Sequence, residues 1–198
     1  LGRVALVERR LEDAERDLVA ALEMDRRFKG AMHDDLILPL NSLGLARMGL
    51  GRYAEAALAF DEALAIARSR EHWMLGVVLT GAADLRLREG DAAAALATTD
   101  EALAALERAF PPDTRADEGW RFRLLDSVRG AALDHLGRHA EAAPLLTAAV
   151  PPLAERFGES SLFAVDAMGR VVQHYEMTED ERAAARWRQR LQEATKGT

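Results

Sequence analysis

A glycine inside a helical pattern, followed by a second glycine that ends it, constrains this chain more than any other feature. The stretch is Leu40 to Ile66, LNSLGLARMGLGRYAEAALAFDEALAI. Gly44 falls where apolar residues still recur at helical spacing, and Gly51 breaks that spacing. Beyond the break come Tyr53, Ala56, Phe60 and the Ala63–Leu64 pair, again one face of a helix. Two helical patterns joined by so short a turn read as an antiparallel pair. The small residues lie where the two axes must touch, and the aromatics fill the space beside them.

The totals agree with packed helices. The 198 residues are 49% hydrophobic but only 6% aromatic, and alanine, which loses no side-chain entropy in a helix, is abundant. The net charge of -7, with no basic stripe, argues against nucleic acid as a partner. The absence of cysteine excludes disulfides and thiolate metal sites. No apolar run reaches the roughly 18 residues that span a bilayer, so no membrane partner is expected. The first residues, LGRVALVERRLEDAERD, do not read as a signal peptide. A soluble, cytoplasmic protein is the expectation. Only Lys29 and Lys196 are lysines among the 26 basic residues, a composition that points to a GC-rich bacterial source.

The same pattern recurs. A half unit over 10–24 (LEDAERDLVAAL, with Ala14, Leu18 and Ala21–Leu22) precedes full units over 34–69, 73–108 and 118–156, and a degenerate unit over 162–194 closes the array. A helix before the first of these would have to lie in Leu1 to Glu8, too short for a complete one, so the chain is expected to begin inside a unit of a longer protein. Asp34 and Asp35 suit a helix start. The second unit has Gly90 at its turn but Ala83 in place of the helical glycine, and Ala92 and Thr99 where the first has aromatics, so looser packing is expected there. The third has Gly130 and Gly137, and Pro144 predicts a local bend. FPPDTRAD (Phe110 to Asp117) reads as a linker. In the last unit Ala183 and Trp187 take the alanine and aromatic positions.

This set of positions resembles the tetratricopeptide repeat (TPR), whose Leu-Gly, turn Gly, Tyr, Ala, Phe and Ala pattern is matched at Leu43, Gly44, Gly51, Tyr53, Ala56, Phe60 and Ala63. Turn glycines 39 and 47 residues apart (90 − 51 and 137 − 90) exceed the usual 34. With the Pro-Asp-Thr linker and the AEAAPLL start of a second helix, they resemble the kinesin-light-chain-like variant. The closing segment YEMTEDERAAARWRQRL is similar to helical arrays that follow bacterial serine/threonine kinases. The resemblance implies an all-α fold, a right-handed α-solenoid of antiparallel helix pairs with about nine helices. It also implies a non-catalytic scaffold that binds a peptide or protein on its concave face.

Transferring the groove-facing positions of the family gives Leu38, Asn41, Leu45 and Met48 from the first full unit. It gives Thr80, Asp84, Leu87 and Arg88 from the second, and Ser127, Ala131 and Asp134 from the third. Asn41 is the leading candidate, since its amide can both donate to and accept from a peptide backbone. Leu38 and Leu45 stand where members that clamp a carboxylate carry cations, which disfavours a chaperone tail. Alternatives are the regulatory array of a kinase, and self-association through an open terminal helix face at Leu11, Leu18 and Leu22.

Chemistry is sparse. There is no phosphate loop, no nucleophile elbow and no H-E-x-x-H, so neither a cofactor nor a catalytic residue is expected. Of the histidines (33, 72, 135, 139, 174), His135 and His139 are four apart, but Gly137 at a turn separates them, and no metal is expected. The acids at Asp34–Asp35 and Glu179–Asp180–Glu181 read as helix-start residues. Trp73 and Trp120 read as seam-covering residues between units.

Overall fold

The protein, described here from a computed structural model over residues 1–112 and 118–196, contains no strand among those residues. Its helices are α1 (Gly2–Val7), α2 (Leu11–Lys29), α3 (Ile37–Gly49), α4 (Tyr53–Ser69), α5 (Leu75–Arg88), α6 (Ala92–Ala109), α7 (Gly119–His135), α8 (His139–Phe157), α9 (Leu162–Met177) and α10 (Glu181–Thr195). A 3-10 turn, Asp34–Leu36, leads into α3. The last five residues of the FPPDTRAD linker, 113–117, lie outside the described residues.

Five turns make five helix pairs. Arg9, Gly51, Gly90, Gly137 and Glu179 all have positive φ, between 59° and 89°. The residue after each donates its N–H to the carbonyl five positions back: Arg10 to Ala5, Arg52 to Arg47, Asp91 to Arg86, Arg138 to Leu133 and Asp180 to Tyr175. That is the Schellman closure, which satisfies carbonyls a helix end would otherwise leave bare. Glycine takes the left-handed position without penalty, while Arg9 and Glu179 hold it against their own side chains. Among the described residues the helix count is ten against an expected nine, because the segment Leu1 to Glu8 does hold a helix, Gly2–Val7. It is short, but Ala5 and Leu6 are buried and Gly2 lets it sit against Leu18.

The five turns put the pairs in one register. Seven residues before the turn stand Gly2, Gly44, Ala83 and Gly130; nine after it stand Leu18, Phe60, Thr99 and Leu146. A Cβ on Gly44 would meet the Phe60 ring at 2.7 Å, one on Gly130 would meet Leu146 at 2.8 Å, and one on Gly2 would meet Leu18 at 2.8 Å. Where the second helix offers only Thr99, the first carries Ala83, and both are fully buried. The second unit therefore compensates in volume instead of loosening. In the last pair the same register selects Ala184, which is fully buried, for the alanine position and not Ala183. That turn lacks its glycine, and the sequence offers no other mark of the register.

Neighbouring helices pack in chain order, and the first helices of successive pairs also touch: α1 with α3, α3 with α5, α5 with α7, and α7 with α9. The result is an all-α solenoid whose inner wall is α1, α3, α5, α7 and α9. Its curvature brings α1 into contact with α9. Two apolar cores form, one centred on α1–α6 and one on α7–α9. Polar contacts lie within the first group and between the two. Arg86 donates to Thr98 Oγ1 at 2.9 Å, and Arg129 donates to Thr99 Oγ1 at 3.3 Å while pairing with Asp100.

Asp91 and Asp180 cap α6 and α10, accepting from Ala94 and Ala183 N–H. Before α3 neither aspartate is a cap: both lie in the 3-10 turn, which His33 caps, its Nδ1 accepting from Asp35 N–H at 3.2 Å. α8 runs unbroken through Pro144, Pro151 and Pro152. The terminal face expected to be open is covered: Leu18 and Leu22 are buried, and Leu11 packs on Gly49 of α3.

Candidate functional site

The inner helices enclose a groove of about 1290 Å³. From α3 it receives Leu38, Asn41, Leu45 and Met48; from α5, Thr80, Asp84 and Arg88. These are positions expected to face it. The other four expected residues lie elsewhere. Leu87 packs against the second core and Ala131 belongs to it. Ser127 and Asp134 are buried under α9, where they meet Arg170 and His174. In their place α7 presents Trp120, Leu124 and Val128. α9 adds Leu162, Phe163, Val165, Asp166 and Arg170, and α1 closes the far side.

Asn41 is only 5% exposed, and its Oδ1 is buried without a hydrogen-bond partner. A bare buried acceptor costs about 1–3 kcal/mol, so a donor that reaches it is favoured. Gly81, on the facing turn of α5, allows the close approach: a Cβ there would stand 3.3 Å from that oxygen and 2.7 Å from Phe60.

The charges that α5 and α9 bring to the groove are paired with one another. Arg170 Nη2 lies 2.7 Å from Asp84 Oδ1, and Arg170 Nη1 donates to Ser127 Oγ at 3.0 Å. Arg88 contacts Asp84 at 3.5 Å and Asp166 at 2.7 Å. The network crosses from α5 over α7 to α9. Burial pushes the Asp84 carboxyl up, but the charges and hydrogen bonds of Arg170 and Arg88 outweigh it and hold the group below the usual carboxylate range. For Asp166 burial wins, and its carboxyl is raised in spite of Arg170 and Arg88. Arginines engaged in this way are poor anchors for a free carboxylate, because a ligand would have to displace an internal partner.

At one rim, Trp73, Phe110 and Trp120 gather around the Arg121 guanidinium, whose carbon is 5.2, 5.1 and 4.1 Å from the three ring centres. Trp120 also meets Phe157 edge-on at 5.0 Å. Trp73 therefore covers the seam between the second and third full units, while Trp120 joins the start of α7 to the end of α8 and reaches the groove.

No family model and no curated protein matches the sequence. Solved structures do match, two of them along almost its whole length. Both are of a putative kinesin light chain from Podosopora anserina with nearly identical TPR-like repeats, one of them a substituted form. Each has a TM-score of 0.60 and 15% sequence identity. The substituted form is matched over 98% of this chain and 90% of that one, the other over 100% and 94%. The fold is TPR-like. The likeness covers every helix pair, including the short first one and the last, which lack the glycine turn. Among the described residues, no helix is long and apolar enough to cross a membrane.

Proposed function

We propose that the chain is a non-catalytic scaffold whose concave groove holds an extended peptide segment of a partner protein. The observation that carries this reading is Asn41, an orphaned buried amide oxygen on the wall of a groove large enough for several residues. Leu38, Leu45 and Met48 around it are apolar, while the charges further along are internally satisfied. The ligand this favours has apolar side chains and a backbone N–H for Asn41, and does not depend on a terminal carboxylate. We further read the scaffold as cytoplasmic and as part of a larger bacterial regulatory protein, on the composition and repeat pattern.

The test is fluorescence polarisation against a library of extended peptides, followed by Leu45→Arg. Leu45 is half-buried on the groove wall, so the change fills the groove without touching the turns. Binding of apolar peptides by the native chain, lost at least tenfold in L45R and reduced in Asn41→Ala, is expected. Peptides that bind both forms equally, or a library without binders, would overturn the proposal.

A further inference from the structure

Away from the groove, three side chains that commonly ligate metals converge where three helices meet. Asp134 lies in the last turn of α7, His139 opens α8, and His174 lies in the last turn of α9. His139 Nδ1 is 2.9 Å from Asp134 Oδ1, and His174 Nδ1 is 2.9 Å from both carboxylate oxygens. One ligand atom from each residue falls within 4.8 Å of the others. Asp134 and His174 are buried, at 3% and 4% exposure, while the His139 side chain is 35% exposed.

A carboxylate buried this deeply needs a cation. Asp84 has two arginines. Among the described residues Asp134 has only the two imidazoles, which are cationic only when protonated. The neighbouring Arg138 is engaged by Glu141 instead. Two imidazole nitrogens and one carboxylate converge there, a donor set of the kind that takes a small divalent ion.

We propose that Asp134, His139 and His174 form a binding site for a first-row divalent metal ion, with Zn²⁺ as the occupant best matched to the donors. Two nitrogens and one oxygen without a thiolate suit zinc and its neighbours over calcium or magnesium, which prefer all-oxygen shells. Ligand bonds of about 2.0–2.2 Å separate adjacent ligand atoms by about 3 Å at right angles and about 3.4 Å at the tetrahedral angle. The 2.9 Å separations from Asp134 fit right-angled ligands as they stand, and opening toward the tetrahedral angle takes a shift of about 0.5 Å at each imidazole. Coordination takes the Nδ1 lone pairs, so each imidazole keeps its proton on Nε2 and any proton on Nδ1 is released to solvent. The remaining coordination position opens on the His139 side, where water or a donor from a partner completes the shell. The ion would tie α7, α8 and α9 together and so couple the third full unit to the last.

The experiment is calorimetric titration of the chelator-stripped chain with ZnCl₂, alongside thermal unfolding with and without the ion. One equivalent of zinc binding at about 10 µM or tighter, with a rise in Tm at about 100 µM zinc, is expected. His139→Ala, at a half-exposed helix start, should keep the native circular dichroism and bind zinc at least tenfold more weakly. His135→Ala, four residues earlier and exposed, should bind like the native chain. A cobalt-loaded sample should show visible d–d bands that vanish in His174→Gln. No saturable binding, or equal binding by H139A and H135A, would overturn the proposal.

Discussion

Two aspartates are buried on inner helices of the same stack and are neutralised in opposite ways. Asp84 on α5 faces Arg170 and Arg88, whose charges are permanent. Asp134 on α7 faces His139 and His174, whose charges are conditional. The partner of each that lies on α9, Arg170 or His174, is one helical turn from the other along that helix. One short segment of α9 therefore carries an arginine clamp on the second full unit and an imidazole clamp on the third. The arginine clamp ties α5 to α9 across the groove. The imidazole clamp joins the last pair to the third full unit without a permanent cation.

The widest gap between the two should come from removing the α9 partner of Asp84. Arg170→Met leaves that carboxylate buried with only Arg88 at 3.5 Å, and should cost about 3–5 kcal/mol in chemical unfolding. Adding Asp84→Leu to it should recover much of that loss, since an apolar pair of similar volume needs no cation. If the double variant is no better than Arg170→Met, the clamp acts through its shape and not its charge. At the other site Asp134→Asn should cost less, about 1–2 kcal/mol, because the amide oxygen still accepts from both imidazoles and no permanent cation is orphaned. Equal costs for Arg170→Met and Asp134→Asn would erase the distinction.

Smaller changes sharpen it. Ser127→Ala removes one acceptor from Arg170 and should cost about 1 kcal/mol. The acid limb of stability should also depend on Asp84. Its folded pKa lies below the unfolded value, so its contribution is complete above the unfolded pKa and is lost as pH falls through the folded one. Asp84→Asn should thus flatten the stability profile below about pH 4, as measured by urea midpoints. A profile identical to the native one would mean the arginines do not hold that carboxylate ionised.

Much of the fold was legible because its signals are local. The glycine turns at 51, 90 and 137 and the Gly44–Phe60 match are set by residues close in sequence, and they lead to the all-α solenoid. Arg9 and Glu179 take the same left-handed turn position without a glycine to announce it, which hid α1 and shifted the register of the last pair. The groove was readable along α3 and at three of the four positions chosen on α5. On α7 it was not, because α9 lies across that helix and covers Ser127 and Asp134. That burial is decided by Arg170 and His174, some forty residues downstream, and no periodicity within α7 encodes it. Gly81 escaped notice for a similar reason: its partner Phe60 belongs to the preceding pair. The Asp134–His139–His174 cluster draws on three helices, while the obvious histidine pair at i and i+4 is split by the turn.

The Phe60 ring bears on how such a molecule could be rebuilt. It presses on Gly44 within its own pair and on Gly81 in the next. Repeat arrays invite treatment as interchangeable bricks, to be shuffled or lengthened at will. Here one brick carries a peg and the following one its socket. A graft that replaced α5 and α6 by a unit with alanine at position 81 would have to push the ring aside, at about 1–3 kcal/mol. The order of units in this chain is thus keyed by shape at that joint, and any chimera that respects it must move the peg and the socket together.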